Sequence, residues 1–201
     1  MIAILDYGSG NLHSALRAFA QVHEEVVVTS DPTVCRSADG LVVPGVGAYA
    51  ACMQQLTDAG ADLIIKERVA ARKPIFGICV GMQILFEQGQ EKALTQGLGI
   101  LPGTITKLES PILPHMGWNT VRSGEGSALF QGIENEYFYF VHSYGAQLDI
   151  DGAINSICEY GGGFLAAVEQ GPVVATQFHP EKSGAAGATL IRNWVESWVA
   201  A

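Results

Sequence analysis

Residues 77–81 read Gly-Ile-Cys-Val-Gly, and they follow a short apolar run that starts at Pro74. A cysteine between two glycines, where a buried strand meets a helix, copies the Gly-x-nucleophile-x-Gly elbow with cysteine in place of serine. The turn leaves the sulfur of Cys79 at the N-terminus of the helix, where the helix dipole favours a thiolate and free N–H groups can receive an oxyanion. A lone cysteine is more often an inert core residue, but the elbow predicts that Cys79 is a nucleophile.

A second motif offers a base for this nucleophile. Residues 179–181 read His-Pro-Glu and end the apolar run 173–178. Residues i and i+2 of an extended segment point to the same side, so Glu181 can orient the imidazole of His179 and stabilise its protonated form. His-Pro is also an ordinary strand terminator, and Glu181 could be a surface charge. Together with Cys79, however, the pair predicts a Cys-His-Glu triad.

Working outward from the elbow, short apolar runs alternate with helical patterns in the first half of the chain. The runs 1–6, 26–29, 41–43 and 74–78 have the composition of buried strands, and Leu12, Leu16 and Phe19 have helical spacing. Such alternation predicts an α/β fold whose parallel sheet is covered by helices on both faces.

After Gln96 the pattern changes to strands with few helices between them. The predicted strands are 100–108, 119–122, 136–141, 153–160 and 164–178, the last folded into a hairpin at the turn 169–172. A stripe of Leu190, Ile191, Trp194, Val195 and Trp198 predicts a closing helix. This half is expected to form an antiparallel or mixed extension, and residues 1–201 are expected to form a single domain.

Composition excludes several classes of protein. With 11 basic and 20 acidic residues, the net charge is −9, and no basic run is present to bind nucleic acid or anionic membranes. The longest uncharged apolar stretch, 40–53, is interrupted at Pro44 and is too short to span a membrane. Four scattered cysteines, an N-terminus unlike a signal peptide and the lack of metal-ligand spacing predict a cytoplasmic protein without a structural metal.

Two further segments are expected at the same edge of the sheet. Residues 44–47, Pro-Gly-Val-Gly, follow a buried strand and could supply a second oxyanion N–H group, although a plain turn is the commoner explanation of these residues taken alone. Residues 137–144 predict an aromatic strand whose polar end meets the carboxyl edge near Cys79. Residues 8–13 fail as a dinucleotide loop, since His13 stands at the third glycine position.

The blocks 77–83 and 179–181 resemble those of class I, triad-type glutamine amidotransferases. The blocks 6–12, 44–48, 114–119, 139–144 and 177–183 look more narrowly like the glutaminase subunits of imidazole glycerol phosphate synthases, and they cover nearly the whole chain. The resemblance implies a flavodoxin-like open sheet, mostly parallel, with an antiparallel or mixed C-terminal extension. It also implies a cytoplasmic enzyme that uses no cofactor and no metal.

The same resemblance implies a role for particular residues. Cys79 would attack the side-chain amide of L-glutamine, His179 would transfer protons, Glu181 would hold His179, and a thioester would hydrolyse to glutamate. The oxyanion hole would comprise Gly45, Val46, Gly47 and Val80, and the glutamine would be positioned by Gln83, His142, Ser143 and Tyr144. Ammonia would pass to a (β/α)₈ cyclase subunit, which forms imidazole glycerol phosphate and aminoimidazole carboxamide ribonucleotide. Asn11, Trp118 and Lys182 would face that partner.

Glutaminases of this kind are typically almost silent until the partner binds its ligand. We therefore hypothesise that the peptide between Gly45 and Val46 reorients to complete the oxyanion hole. The chain departs from the family pattern at Gly145, at Val80 and at the prolines Pro111 and Pro114, none of which is in the triad. Three alternatives remain open at this point: a glutaminase that serves another synthase, a non-catalytic scaffold, and a cysteine hydrolase that acts without a partner.

Overall fold

The computed structural model describes residues 1–147 and 149–200. The strands are β1 Ile2–Leu5, β2 Val26–Thr29, β3 Gly40–Gly45, β4 Ile75–Cys79, β5 Phe86–Glu91, β6 Ala93–Gln96, β7 Leu101–Lys107, β8 His115–Thr120, β9 Tyr137–His142, β10 Tyr144–Ala146, β11 Ile154–Glu159, β12 Gly163–Gln170 and β13 Val173–Thr176. The helices are α1 Leu12–Phe19, α2 Pro32–Ser37, α3 Tyr49–Asp58, α4 Ala61–Ala70, α5 Val80–Gln83 and α6 Gly184–Trp194, with a 3₁₀ turn at Pro180–Lys182 and a π-helical turn at Val195–Val199.

The central sheet has seven strands in the order β11-β12-β13-β4-β3-β1-β2. The five strands from β13 to β2 are parallel, and β12 and β11 continue the sheet in antiparallel pairing. The order β2-β1-β3-β4-β13 is the doubly wound order of flavodoxin-like sheets. The predicted α/β fold, mostly parallel with an antiparallel extension, is confirmed.

The parallel strands are covered on both faces. Every residue of β1, β3, β4 and β13 is buried, which explains why these strands read as continuous apolar runs. On one side the ring of Phe76 in β4 contacts Trp194 of α6, with ring centroids 5.3 Å apart, and Phe19 of α1 packs edge-on against both rings. Burial of these large side chains fixes α1 and α6 against the sheet.

The chain after Cys79 differs from the prediction. Instead of a full crossover helix, α5 is a single turn of four residues, and two strands, β5 and β6, follow before the predicted change of pattern at Gln96. These strands belong to a second sheet in the order β10-β7-β5-β6. Because a helix dipole grows with the number of aligned peptide units, one turn provides less of the electrostatic help expected for the Cys79 thiolate.

A two-stranded sheet, β8 with β9, also begins earlier than predicted. Its first strand spans His115–Thr120 rather than 119–122, so His115 pairs with His142 and Trp118 pairs with Tyr139. Alternation along the strand buries His115 and leaves Trp118 exposed. Within the described ranges, no helix has both the length and the apolar content needed to cross a membrane.

Candidate active site

The nucleophile elbow is a close-packed and strained turn. Cys79 ends β4 with a positive φ of 56°, which is unusual for a residue with a side chain. A Cβ atom on Gly77 would lie 2.7 Å from the carbonyl oxygen of Gly81, and a Cβ atom on Gly81 would collide with the carbonyl oxygen of Val43. Gly77 is therefore required for the elbow to fold back on β4, and Gly81 is required for β3 and the elbow to approach each other.

The predicted base lies beside the elbow because β13 neighbours β4 in the sheet, with Thr176 opposite Ile78. His179 follows β13 and is held through its own backbone: its N–H donates to the Tyr139 carbonyl at 2.9 Å, and its carbonyl accepts from the Ser183 hydroxyl at 2.6 Å. The imidazole Nδ1 is 2.7 Å from Oε1 of Glu181, and only 2% and 3% of the two side chains are exposed.

The electrostatics of His179 favour its protonated form. Burial, the largest single contribution, lowers the pKa of the imidazole, but Cys79 and Glu181 together raise it, and the resulting pKa is about 10. Among the described residues, neither Nε2 of His179 nor Oε2 of Glu181 has a hydrogen-bond partner. An imidazolium therefore lies between a carboxylate and the sulfur, with one nitrogen free for a substrate or leaving group.

Cys79 and His179 face a pocket of about 360 Å³ at the carboxyl edge of the sheet. The pocket is lined by Val46, Gly47, Cys79, Val80, Gln83, Glu91, Pro114, Val141, His142, Ser143, Tyr144 and His179. All four residues expected to position glutamine are in this lining, as are three of the four expected at the oxyanion hole. Gly45 and Glu181 lie outside it, Gly45 opposite Cys79 in the β3–β4 pairing and Glu181 against His179.

In the loop after β3, the N–H group of Val46 is already hydrogen-bonded and is not free to bind an oxyanion. The Val46 N–H donates to the hydroxyl of Ser9 at 3.2 Å, and the Val46 carbonyl accepts from the same hydroxyl at 2.9 Å and from the Cys52 thiol at 3.2 Å. Burial raises the pKa of Cys52, so the thiol keeps the proton that it donates. The Val46 N–H must be released from Ser9 before it can bind an oxyanion.

One wall of the pocket is organised around the carbonyl of Tyr144. This oxygen accepts from Nε2 of Gln83 at 2.8 Å and lies 2.9 Å from Nδ1 of His142. His142 in turn lies 3.1 Å from His115, which stacks on Tyr160 with ring centroids 3.9 Å apart. Burial lowers the pKa of His142 to about 3 and that of His115 to about 4, so both rings are neutral near pH 7.

Two residues of the site were not predicted from the sequence: Glu91, which lines the pocket, and Gln177, which contacts Cys79. Oε2 of Glu91 accepts from the N–H of Tyr49 at 2.7 Å, at the start of α3, and the carboxylate lines the pocket. Nε2 of Gln177 lies 3.7 Å from the sulfur of Cys79. No local pattern marks Glu91, since it lies in a strand that was not predicted; Gln177 adjoins the His-Pro-Glu motif, which was the available signal.

The three residues expected to face a partner lie outside the pocket. Trp118 is 56% exposed and packs edge-on against Tyr139 with ring centroids 6.0 Å apart, and Nζ of Lys182 is 5.8 Å from the centre of the same ring. Asn11 is exposed at the start of α1, where its side chain accepts from the Ser14 N–H at 3.2 Å. Trp118 and Lys182 therefore share one ring, and Asn11 caps the helix that packs on the turn containing Lys182.

Comparison with known proteins covers almost the whole chain. A family model described as glutamine amidotransferase class-I matches residues 3–198. The imidazole glycerol phosphate synthase subunit HisH of Mycolicibacterium paratuberculosis is 56% identical over 200 residues, with 97% of each chain covered. The HisH subunit of Thermobifida fusca is 52% identical over 204 aligned positions, with 96% of this chain and 97% of that subunit covered.

Solved structures resemble the fold at much lower identity. A crystal structure of a glutamine amidotransferase superimposes with a TM-score of 0.79 at 18% identity, over 100% of this chain and 99% of the other. The glutaminase domain of Trypanosoma brucei CTPS with bound acivicin has a TM-score of 0.65 at 15% identity, over 96% and 92% of the two chains. At these identities the likeness concerns the fold alone.

Proposed function

The chain belongs to the class-I glutamine amidotransferases, and from that premise we propose that it hydrolyses L-glutamine to L-glutamate and ammonia for an imidazole glycerol phosphate synthase. The observation that carries the proposal is the triad: Cys79 on a strained elbow faces the same pocket as His179, and Glu181 lies 2.7 Å behind the imidazole. The relatives at 52–56% identity are named as subunits of that synthase. Their names favour a role in this synthase over a role in other glutamine-dependent synthases.

In the first half of the reaction, the thiolate of Cys79 attacks the carboxamide carbon of glutamine and forms a C–S bond. The carbonyl oxygen becomes an oxyanion, which the N–H of Val80 can bind at the start of α5. The C–N bond then breaks, and the imidazolium of His179 gives its Nε2 proton to the departing nitrogen, which leaves as ammonia. A γ-glutamyl thioester on Cys79 and a neutral imidazole remain.

In the second half, water hydrolyses the thioester. His179 takes one proton from water as the oxygen attacks the carbonyl carbon, the C–S bond breaks, and glutamate leaves with the thiolate regenerated. Glu181 stays ionised and stabilises the imidazolium each time it forms. The second proton of the water stays on the new carboxyl group and is lost to solvent, so the balance is one glutamine and one water in, and one glutamate, one ammonia and one proton out.

Glutamine recognition would use the polar residues of the pocket wall. Glu91 supplies a carboxylate that can pair with the substrate ammonium group. Both Nε2 protons of Gln83 are used, one by the Tyr144 carbonyl and one by Oε1 of Gln177, so its own Oε1 is the atom left for a substrate donor. The segment from His142 to Tyr144 also lines the pocket and is joined to Gln83 through the Tyr144 carbonyl.

We further propose that the partner is a (β/α)₈ cyclase subunit that receives the ammonia. The surface with Trp118, Lys182 and Asn11 is the candidate contact, because an exposed tryptophan is typical of binding surfaces and Lys182 lies over the Tyr139 ring against which Trp118 packs. Met116, two residues before Trp118 on β8, is 65% exposed and extends the same face. A cytoplasmic location completes the proposal, and the four cysteines, which are all free, are consistent with it.

The direct test is glutamate release from glutamine, measured on the chain alone and then with the cyclase subunit and its ribonucleotide ligand. We expect partner-dependent hydrolysis that disappears in Cys79→Ala. Cys35→Ala is the matched control, because Cys35 is equally buried but lies outside the pocket. It should keep the stimulated rate.

Other outcomes would identify a different function. A fast rate without the partner would indicate an independent cysteine hydrolase. Stimulated hydrolysis that persists in Cys79→Ala would exclude Cys79 as the nucleophile. No hydrolysis under any condition, with a correctly folded partner bound, would support a non-catalytic scaffold.

A further inference from the structure

The side chain of Gln177 contacts the nucleophile directly. Gln177 follows β13, is 1% exposed, and is tied to the sheet by its backbone N–H, which donates to the Ala166 carbonyl at 2.8 Å. Its Nε2 lies 3.7 Å from the sulfur of Cys79, within the usual range for a hydrogen bond to sulfur. Neither half of the proposed reaction uses this contact.

The direction of that contact follows from the hydrogen bonds behind it. The carbonyl of Tyr144 can only accept, so the group of Gln83 that faces it must be the NH₂ group. The second proton of that NH₂ group points to Gln177 at 2.9 Å, and this side of the Gln177 amide must therefore be its oxygen. The NH₂ group of Gln177 is left to face Cys79.

A second chain of hydrogen bonds ends on the same carbonyl. Nδ1 of His142 must donate to Tyr144, so a neutral His142 has an accepting Nε2, which receives the Nδ1 proton of His115. Nε2 of His115 then accepts from Asn119, whose NH₂ group also donates to the Glu159 carbonyl at 3.1 Å. Both ends of this chain are backbone carbonyls, which can only accept, so the donors and acceptors inferred from either end agree. The chain therefore holds the Tyr144 carbonyl in place.

We propose that Gln177 is a further catalytic residue: its side-chain N–H donates to the sulfur of Cys79 and stabilises the thiolate relative to the thiol. The inference rests on the proposed function only in that Cys79 must be the nucleophile. The amide proton stays on nitrogen throughout, and no bond to Gln177 forms or breaks. The contribution matters because α5 is a single turn and offers little dipole to stabilise the anion.

The donor acts on the charged states of the sulfur. In the thioester the sulfur is uncharged and accepts weakly, whereas the thiolate that attacks and the thiolate that leaves both bear negative charge. Stabilising the anion increases its population and makes it a better leaving group, while lowering its intrinsic nucleophilicity by a smaller factor. Loss of the donor therefore has opposite effects at low and at high pH.

The test measures alkylation of Cys79 by iodoacetamide, followed by mass spectrometry, across a pH series and without glutamine or partner. Gln177→Met keeps the length of the side chain and removes the donor. Relative to the wild type, we expect Gln177→Met to have a profile displaced to higher pH, with a thiolate population about tenfold smaller below the midpoint. Alkylation of the variant should be about threefold slower at low pH and about threefold faster at high pH. The titratable groups that face the sulfur, His179, Tyr7 and Cys52, are unchanged in the variant.

Thr176→Val is the matched control, since Thr176 is as buried as Gln177 but bonds only the Phe178 carbonyl. It should alkylate with the wild-type profile even if its unfolding midpoint falls. If Gln177→Met does not fold, Gln177→Leu also lacks a donor and adds no charge beside the sulfur, and it should show the same displacement to higher pH.

The possible outcomes separate this inference from the proposed function. A reactive wild-type Cys79 together with a wild-type profile in Gln177→Met or Gln177→Leu would overturn the role of Gln177 and leave the proposed function intact. A wild-type Cys79 no more reactive than Cys35 or Cys158 would overturn both. A crossing of the wild-type and Gln177→Met profiles would support the donor, because a merely structural defect changes the rate of alkylation in the same direction at every pH.

Discussion

The two loops that follow the neighbouring strands β3 and β4 face one pocket but are held in different ways. The elbow after β4 has no spare room, since a Cβ atom on Gly77 or Gly81 would meet backbone atoms. The loop after β3 is open: Val46 is 43% exposed, and a Cβ atom on Gly47 would meet nothing within 4 Å. Its peptide is held by a hydroxyl and a thiol rather than by packing.

The side of the pocket formed by the elbow after β4 is therefore rigid, and the side formed by the loop after β3 is adjustable. Close-packed backbone cannot shift without a large cost, so the sulfur and its proton carriers have a fixed geometry. A peptide held by side-chain hydrogen bonds, each worth about 1 kcal/mol, can rotate when another contact compensates. This arrangement fits an enzyme whose nucleophile is always ready and whose oxyanion hole is completed on demand.

The largest effect is expected on the rigid side, in Glu181→Gln. The variant removes the charge that stabilises the His179 imidazolium and allows the amide to impose the wrong tautomer, so partner-stimulated hydrolysis should fall about 10³-fold. The measurement is kcat for glutamate release. Glu24→Gln, at an exposed position, is the control and should be unchanged. A loss of less than tenfold would mean that His179 is oriented by its backbone hydrogen bonds alone.

The second prediction compares the two loops directly by adding one methyl group to each. Gly81→Ala must separate the elbow from Val43, and it should lower the free energy of unfolding by about 3 kcal/mol or more. Gly47→Ala has open space and bears only the strain of its φ of 97°, about 1–2 kcal/mol. Urea unfolding of both variants measures the difference. Equal losses would remove the distinction between a packed and an open loop.

The third prediction concerns the charge on the rigid side. The pKa of folded His179, about 10, exceeds its ordinary value of 6.5, so the folded state keeps a proton that the unfolded chain loses. The stabilisation is complete below pH 6.5 and is lost as the pH rises toward 10, with a slope of up to about 1.4 kcal/mol per pH unit. Urea unfolding of the wild type and of His179→Gln across this window isolates the slope. His13→Gln, at an exposed position, should behave as the wild type.

The smallest effect is expected on the adjustable side, in Ser9→Ala. Loss of the hydroxyl releases the Val46 N–H and weakens the hold on its carbonyl, so the rate without partner should rise about fivefold, equivalent to about 1 kcal/mol. Ser37→Ala, which removes an exposed hydroxyl elsewhere, serves as the control. An unchanged or lower rate would indicate that the Val46 peptide does not limit the resting enzyme.

Much of the fold could be predicted because its signals are local. The strands β1 to β4 are continuous apolar runs, and the elbow is announced by two glycines around Cys79. The length of α5 could not be predicted, because residues 84–96 have no strong period and form strands only through pairing, β5 with β7 and β6 with β5. The catalytic, oxyanion and glutamine-binding assignments stay predictions, although the structure brings most of those residues to one pocket.

The sequence by itself determined the fold class, the family and the candidate triad, because periodicity, glycine spacing and the His-Pro-Glu motif act over a few residues. Tertiary structure alone decided which polar atoms are already paired. Ser9 and Val46 are 37 positions apart, and Gln177 and Cys79 are 98 apart. The direction in which each amide and imidazole points depends on partners brought together by strand order, and local sequence patterns do not contain that information.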